Sequence, residues 1–92
     1  MRRSGTGRDR TGAYDEVYDL HGFAADEAID FLSRVLKRHA GAVILVVHGD
    51  GSGVLRTRIR AALRSGRLPC RDFFPGEDVG APGSYGVTVV RI

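Results

Sequence analysis

The sequence predicts an α/β domain, a two-layer α+β sandwich with the element order β-α-β-α-β-β and a four-stranded mixed sheet. Residues 42–47 (AVILVV) form an unbroken apolar run, which is typical of a strand buried on both faces. Glycines follow at 49, 51 and 53, and from Val54 the apolar spacing becomes that of an amphipathic helix. A similar strand, glycine and helix pattern precedes this unit. The 92 residues are enough for one domain with its own core.

The first half of the chain contains an arm, a strand and a helix. Residues 1–13 are polar, rich in arginine and without periodicity, so we expect a flexible basic arm, and the domain is expected to occupy residues 14–92. Residues 14–20 alternate as a strand, which Gly22 ends. Residues 24–40 have apolar side chains at helical spacing, with acidic residues at the start and basic residues at the end, before Gly41.

The second half adds a helix and two strands to the buried strand. The helix that begins near Val54 is expected to end at Ser65 and Gly66. Residues 69–74 are predicted as a strand, residues 75–84 as a long loop, and residues 85–92 as the last strand. Right-handed β-α-β crossovers place the first two strands parallel, with both helices on one face of the sheet.

The composition restricts the function classes only mildly. The net charge of +3 and the pI of about 9.6 are compatible with a nucleic-acid partner. Cys70 is the only cysteine, which excludes an internal disulfide and a thiolate zinc cluster and favours a cytoplasmic location. No apolar segment approaches the about 20 residues of a membrane span, so no membrane partner is expected.

Two polar motifs fall at the carboxyl ends of the two predicted parallel strands, where open α/β sheets bind ligands. The first is DLHG (19–22), in which Asp19 and His21 leave the same face of a strand about 7 Å apart. A carboxylate at that range can orient an imidazole or share a metal ion with it. The alternative is structural, with Asp19 capping a turn and His21 bonding the next loop. His48, at the end of the neighbouring strand, favours a functional site.

The second motif is HGDGSG (48–53), which leads into the second helix. We expect its backbone N–H groups and the helix start to hold an anion, most commonly a phosphate. The predicted phosphate-binding residues are Gly49, Gly51, Ser52, Gly53, Arg56 and Arg60. The motif lacks the lysine and the spacing of a P-loop, which argues against ATP or GTP hydrolysis. Arginines at 56, 60 and 64 form either a track for a phosphate backbone or a solvated face.

Three segments together resemble the Smr (small MutS-related) domain family. They are YDLHGFAADEAIDFL (18–32), VVHGDGSGVLRTRIRAAL (46–63) and YGVTVV (85–90), and the resemblance extends from residue 18 to residue 92. It implies a fold like the C-terminal domain of a bacterial translation initiation factor, and DNA-nicking or RNA-cleaving endonuclease activity. It also implies that Asp19 and His21 are the catalytic acid and histidine. Two departures are Asp50, where the family commonly has a neutral or basic residue, and the incomplete glycine pair in residues 83–86.

These observations lead to two hypotheses. The first is an endonuclease that acts on RNA or on structured or branched DNA. The glycine loop and Arg56 hold the phosphate, His21 is the general acid or base, Asp19 orients it, and His48 assists. The second is a nucleic-acid-binding module without chemistry that uses the same loop and the arginine stripe. Asp19 and His21 separate the two, because docking does not need them.

The expected cofactors and partners follow from the first hypothesis. The sequence identifies no definite cofactor, and Mg²⁺ or Mn²⁺ stays open as one, with Asp19 and Asp50 as the candidate ligands. For RNA, two histidines favour attack by the 2′-OH without a metal ion. The expected partner is nucleic acid, with the ribosome as a further candidate, in DNA repair or recombination or in RNA quality control and ribosome rescue. The domain is expected to be a monomer.

Overall fold

The computed structural model describes residues 5–7, as backbone only, together with residues 14–49 and 51–92. The elements in chain order are β1 Gly5–Gly7, β2 Glu16–Asp19, α1 Ala25–Val35, β3 Val43–Val47, α2 Val54–Ser65, β4 Asp72–Pro75, α3 Gly76–Val79 and β5 Val87–Arg91. Two 3₁₀ turns, Leu36–Arg38 and Ser84–Gly86, follow α1 and precede β5. In the described part of the chain, no helix is both long and apolar enough to cross a membrane.

The strands form one mixed sheet in the order β1-β2-β3-β5-β4. Only β2 and β3 are parallel, with Asp19 opposite Val47, and the other neighbours are antiparallel. The Leu20 backbone N–H donates to the Val47 carbonyl at 2.7 Å, which keeps the two strand ends together beyond the last pair. This pairing confirms the predicted mixed sheet and places both polar motifs at the same edge.

The larger core lies between the sheet and the helices α1 and α2. Alternate strand residues face it, which is why Leu20, Ile44 and Val46 are buried there. The helices contribute their apolar stripes, as the 3–4 spacing predicted. The opposite face of the sheet carries a smaller apolar cluster that includes Leu45 and Val89. Because both faces are covered, β3 reads as a continuous apolar run.

The segment predicted as a long loop, residues 75–84, is partly helical, and this prediction is wrong. Pro75 ends β4, and α3 follows it directly. Ala81 lies in the apolar cluster on this face together with Val87, so the segment covers the second face of the sheet. A Cβ atom added at Gly76 would lie 2.3 Å from Cγ2 of Val87, which shows how closely the helix packs on β5. The glycines and prolines predicted a loop. The apolar cluster on this face of the sheet is instead buried by an ordered segment that contains a short helix.

Several predicted boundaries also shift. The first helix ends at Val35 and tightens into a 3₁₀ turn, instead of continuing to residue 40. The strand predicted at 69–74 is β4, Asp72–Pro75, and the last strand is shorter than predicted. Element ends depend on tertiary hydrogen bonds that local spacing does not contain.

One strand comes from the segment that was expected to be a flexible arm. Gly5–Gly7 pairs antiparallel with β2, so the four predicted strands are joined by a fifth. The remainder of the predicted arm, residues 1–4 and 8–13, lies outside the described residues. Strand pairing at the β2 edge requires only backbone groups. The segment GTG can therefore form a strand without the apolar alternation from which strands are predicted.

Candidate functional site

A cleft of about 420 Å³ opens beyond the carboxyl ends of β2 and β3. It lies between the start of α1 and the loop that leads into α2. Its lining residues are His21, Gly22, Phe23, Ala24, Ala25, His48, Gly49, Gly51, Ser52, Gly53, Val54, Leu55 and Arg56. The structure therefore brings together most of the predicted site residues from two distant parts of the sequence. Of the predicted residues that the structure describes, Asp19 and Arg60 do not line the cleft.

Asp19 and His21 form a hydrogen-bonded pair at the edge of this cleft. The His21 ring donates its Nδ1–H to Oδ1 of Asp19 at 2.6 Å, since an ionised carboxylate can only accept. The backbone N–H of His21 donates to the same oxygen at 3.2 Å. The His21 side chain is 72% exposed, and its Nε2 is the nitrogen left for a substrate. The pair has the arrangement in which a carboxylate fixes the tautomer of a reactive imidazole.

The glycine loop turns tightly because two of its residues adopt positive φ angles. Gly49 has φ +79° and Gly53 has φ +85°, in the region where a side chain is strained. The loop passes close to the dyad, since a Cβ atom on Gly49 would lie 3.6 Å from Cβ of His21. Gly53 is the N-cap of α2 and offers no side-chain cap. Among the described residues, Ser52 is the one whose side chain accepts from an N–H group at this helix start, that of Val54 at 3.4 Å. The start of α2 therefore presents N–H groups to the cleft.

Arg56 places its guanidinium over this loop. A Cβ atom on Gly53 would lie 2.8 Å from Nη2 of Arg56, so a side chain at this position would displace the guanidinium from the loop. The Arg56 side chain lines the cleft, where its positive charge attracts an anion. The predicted phosphate site of Gly49, Gly51, Ser52, Gly53 and Arg56 is thus assembled in one place.

His48 lies in the cleft wall, but its ring is buried and both of its nitrogens are occupied. Nδ1–H donates to the Gly49 carbonyl at 2.9 Å, and Nε2 accepts from the hydroxyl of Thr88 at 2.9 Å. A carbonyl oxygen only accepts, so Nδ1 carries the proton and the ring is in one neutral tautomer. The predicted assisting role in catalysis does not fit this arrangement. His48 supports the loop instead, by holding the Gly49 peptide.

Arg60 does not belong to an exposed basic stripe, and that part of the prediction is wrong. Its guanidinium donates to the two carboxylate oxygens of Glu77 at 3.1 and 3.0 Å, and its side chain is only 11% exposed. Nε also donates to Thr88 Oγ1 at 2.9 Å, and Nη2 to the Val87 carbonyl at 3.0 Å. We therefore remove Arg60 from the phosphate-binding set. Sequence spacing placed it on α2 correctly but gave no sign of its partner on α3.

These contacts form a continuous polar chain, which we call the buried relay: Glu77, Arg60, Thr88, His48 and the Gly49 carbonyl. It joins α3, α2 and β5 to the glycine loop, and Thr88 at its centre is fully buried. The Gly86 carbonyl adds two bonds, accepting from the backbone N–H groups of His48 at 2.9 Å and Gly49 at 3.0 Å. Sequence reasoning missed Thr88, whose only signal is a hydroxyl within an apolar strand.

The comparisons with known proteins agree with this fold. Residues 18–92 match the family model of the Smr domain. The chain belongs to the Smr domain family. Its structure is similar to the crystal structure of the Smr domain of Thermus thermophilus MutS2, with a TM-score of 0.68 and 31% sequence identity over 82% of this chain and 94% of that chain. No curated protein sequence matched the chain. Smr domains are associated with endonuclease activity and nucleic-acid binding.

The charge state of the relay in this Smr domain follows from its burial. Burial lowers the pKa of His48, and the nearby Arg60 and Arg56 guanidinium groups lower it further, against the opposing bond to the Gly49 carbonyl. Hydrogen bonds from Arg60 hold the pKa of Glu77 below its usual range. The relay is therefore a neutral imidazole connected through Thr88 to an arginine–glutamate ion pair.

A metal site in this Smr domain remains a prediction. No group of three or more His, Cys, Asp or Glu residues within 14–49 and 51–92 could hold a metal ion. Asp50, the second candidate ligand, lies outside the described residues. Asp19 keeps one carboxylate oxygen beyond the two bonds that it accepts from His21 through Oδ1.

Replacing Thr88 by valine should destabilise the domain by about 1–3 kcal/mol, because Arg60 Nε and His48 Nε2 then lose a buried partner. Thr88→Ser keeps the hydroxyl and is the matched control, and it should retain more of the stability. Urea unfolding measures both free energies. A Thr88→Val variant that is more stable than Thr88→Ser would show that the hydroxyl contributes nothing.

The lowered pKa of His48 predicts a loss of stability on mild acidification. Below the ordinary value of 6.5, the unfolded chain takes up a proton that folded His48 resists, so the free energy of unfolding falls with pH. Glu77 contributes only at lower pH, below its ordinary value of 4.5. Urea unfolding between pH 7.5 and pH 5.5 should show a smaller pH dependence in His48→Gln. An unchanged pH dependence in that variant would show that His48 is not the group whose pKa falls on folding.

Proposed function

We propose that this Smr domain is an endonuclease that cleaves a phosphodiester bond held in the cleft between the ends of β2 and β3. The observation that carries the proposal is the Asp19–His21 pair, which leaves an oriented and exposed imidazole nitrogen beside the glycine loop. Family membership supports the same activity. The catalytic residues are therefore assigned to Asp19 and His21.

The loop and Arg56 bind the phosphate in this mechanism. The N–H groups at the start of α2 and the Arg56 guanidinium lie on one side of the cleft, where they stabilise the negative charge that develops on the phosphoryl oxygens. Arg56 can approach closely because Gly53 has no side chain. His48 holds the Gly49 peptide and so keeps these donors in position.

RNA is the substrate that this site serves best. His21 Nε2 takes the proton of the 2′-OH, the 2′-oxygen attacks phosphorus, and the bond to the 5′-oxygen breaks. The 5′-oxygen leaves with a proton from solvent, since His48 has no nitrogen free to supply one. Asp19 stabilises the imidazolium that forms on His21. The products are a 2′,3′-cyclic phosphate and a 5′-OH.

A domain that binds nucleic acid without cleaving it remains the second candidate. It would use the same loop and Arg56, and these contacts alone account for phosphate affinity. The Asp19–His21 pair has no task in such a domain, which is why we place cleavage first. A cytoplasmic location, the ribosome as a partner, a monomeric state and roles in repair or ribosome rescue remain predictions.

Asp19→Asn and His21→Ala should each lower the single-turnover cleavage rate by about 100-fold or more, because general acid–base catalysis contributes on this scale. Binding should change only a few-fold, since both residues act mainly in the transition state. Asp78→Asn, an exposed acid on α3, is the matched control and should keep the wild-type rate. A parallel loss of binding and cleavage would identify the pair as docking residues.

The ends of the RNA product should identify the nucleophile. Attack by the 2′-OH leaves a 2′,3′-cyclic phosphate, so a 2′-deoxy residue at the cleavage position should stop the reaction while EDTA leaves it largely unchanged. Mass spectrometry of the fragments identifies the ends. Full cleavage at the 2′-deoxy position, or complete inhibition by EDTA, would exclude this route and favour a metal-activated water.

A further inference from the structure

The cleft has an apolar wall that takes no part in binding or cleaving the phosphate in the mechanism above. Phe23, Ala24 and Ala25 line it from the start of α1, and Val54 and Leu55 line it from the start of α2. Ser, Thr, Asp and Asn are the usual N-cap residues of helices, yet α1 has Ala24 as its N-cap and α2 begins with an exposed valine after Gly53. Both helix starts are therefore apolar where they border the cleft.

Val54 is the clearest sign that this wall meets a ligand. Its side chain is 57% exposed, although it lies beside the glycine loop and Arg56. The other large apolar side chains exposed in the described part of the chain, Val79 and Tyr85, do not line this cleft. An exposed apolar side chain beside an anion site suits a ligand that has a charged part and an apolar part.

The cleft is also larger than a phosphate requires. Its volume of about 420 Å³ lies in the range of pockets that hold small organic ligands. In a nucleic acid, the groups next to a phosphate are a ribose and a base. A base can enter such a cleft only when it is unpaired, because pairing and stacking hold it within a duplex.

We propose that the apolar wall binds the base and ribose of one unpaired nucleotide whose phosphate lies on the glycine loop. This inference rests on the proposed function and deepens it, since it defines the substrate as a single-stranded segment. Phe23 supplies an aromatic surface for the base, and its own ring is braced edge-on against Phe31 at a centroid distance of 5.9 Å. Val54 closes the site from the side of α2.

The wall predicts little preference among the four bases. The side chains of its five residues are hydrocarbon, so none can read a base edge through a hydrogen bond. Stacking and apolar contact accept every base, because every base has a flat π face. Selection by this site is therefore for an unpaired nucleotide rather than for a sequence.

The experiment compares two ligands of equal charge, hexathymidylate and the same 2′-deoxy backbone with an abasic residue at each position. The 2′-OH mechanism leaves both uncut, and fluorescence anisotropy at low salt measures both dissociation constants. The wild-type domain should bind hexathymidylate at least about tenfold more tightly, as expected for one stacked base. Phe23→Leu and Val54→Ala should each reduce this ratio.

Val79→Ala is the matched control, because Val79 is a similarly exposed valine, at 51%, outside the cleft. It should keep the wild-type ratio. Alanine favours helix more than valine does, so a smaller ratio in Val54→Ala would not reflect a weaker α2, and thermal unfolding checks that Phe23→Leu is folded.

Equal affinity of the wild-type domain for the two ligands would overturn the base-binding wall and leave the phosphate site standing. An unchanged ratio in both cleft variants would also overturn it, by placing base binding elsewhere. Failure to bind either ligand would overturn the proposed function together with this inference.

Discussion

The parallel pairing of β2 with β3 is the interaction on which the rest of the site depends. It sets Asp19 opposite Val47, so that the two polar motifs leave the sheet side by side. One motif provides an oriented imidazole, and the other provides a loop of N–H groups and Arg56. If β2 shifted by one residue relative to β3, every β2 side chain, Asp19 included, would turn to the other face of the sheet. The helix-side core, with Tyr18, Leu20, Ile44 and Val46 buried, makes such a shift unfavourable.

A second constraint acts on the loop through a chain of buried polar contacts. The buried relay connects Glu77 on α3 through Arg60, Thr88 and His48 to the Gly49 carbonyl. His48 and Arg60, a histidine and an arginine of the kind that often take part in catalysis or ligand binding, therefore have a structural role here, because their hydrogen bonds hold the glycine loop in place. A buried and fully paired polar chain of this kind favours one loop conformation, because any alternative leaves a polar group without a partner. The donors that face a phosphate are thereby held in place before it arrives.

The features that could be predicted from sequence are local ones. The apolar run of β3, the amphipathic spacing of α2 and the glycine loop each lie within a few adjacent residues, and Asp19 and His21 are two positions apart. The features that were missed depend on distant partners. Glu77 pairs with Arg60 across 17 positions, and His48 meets Thr88 across 40. The strand β1 has no apolar pattern, and α3 forms in a segment that packs on the second apolar face of the sheet. Spacing along one element identifies a face but not what packs on it.

The most direct test of the central claim is an amide ¹H–¹⁵N NMR titration with a short single-stranded oligonucleotide. The claim is that the cleft between β2 and β3 is the nucleic-acid site. We predict that the amides of residues 21–25 and 49–56 shift together and saturate at one ligand concentration, while those of β4 on the far edge of the sheet stay unchanged. Shifts confined to the exposed arginines at the end of α2, with the cleft amides unmoved, would contradict the account.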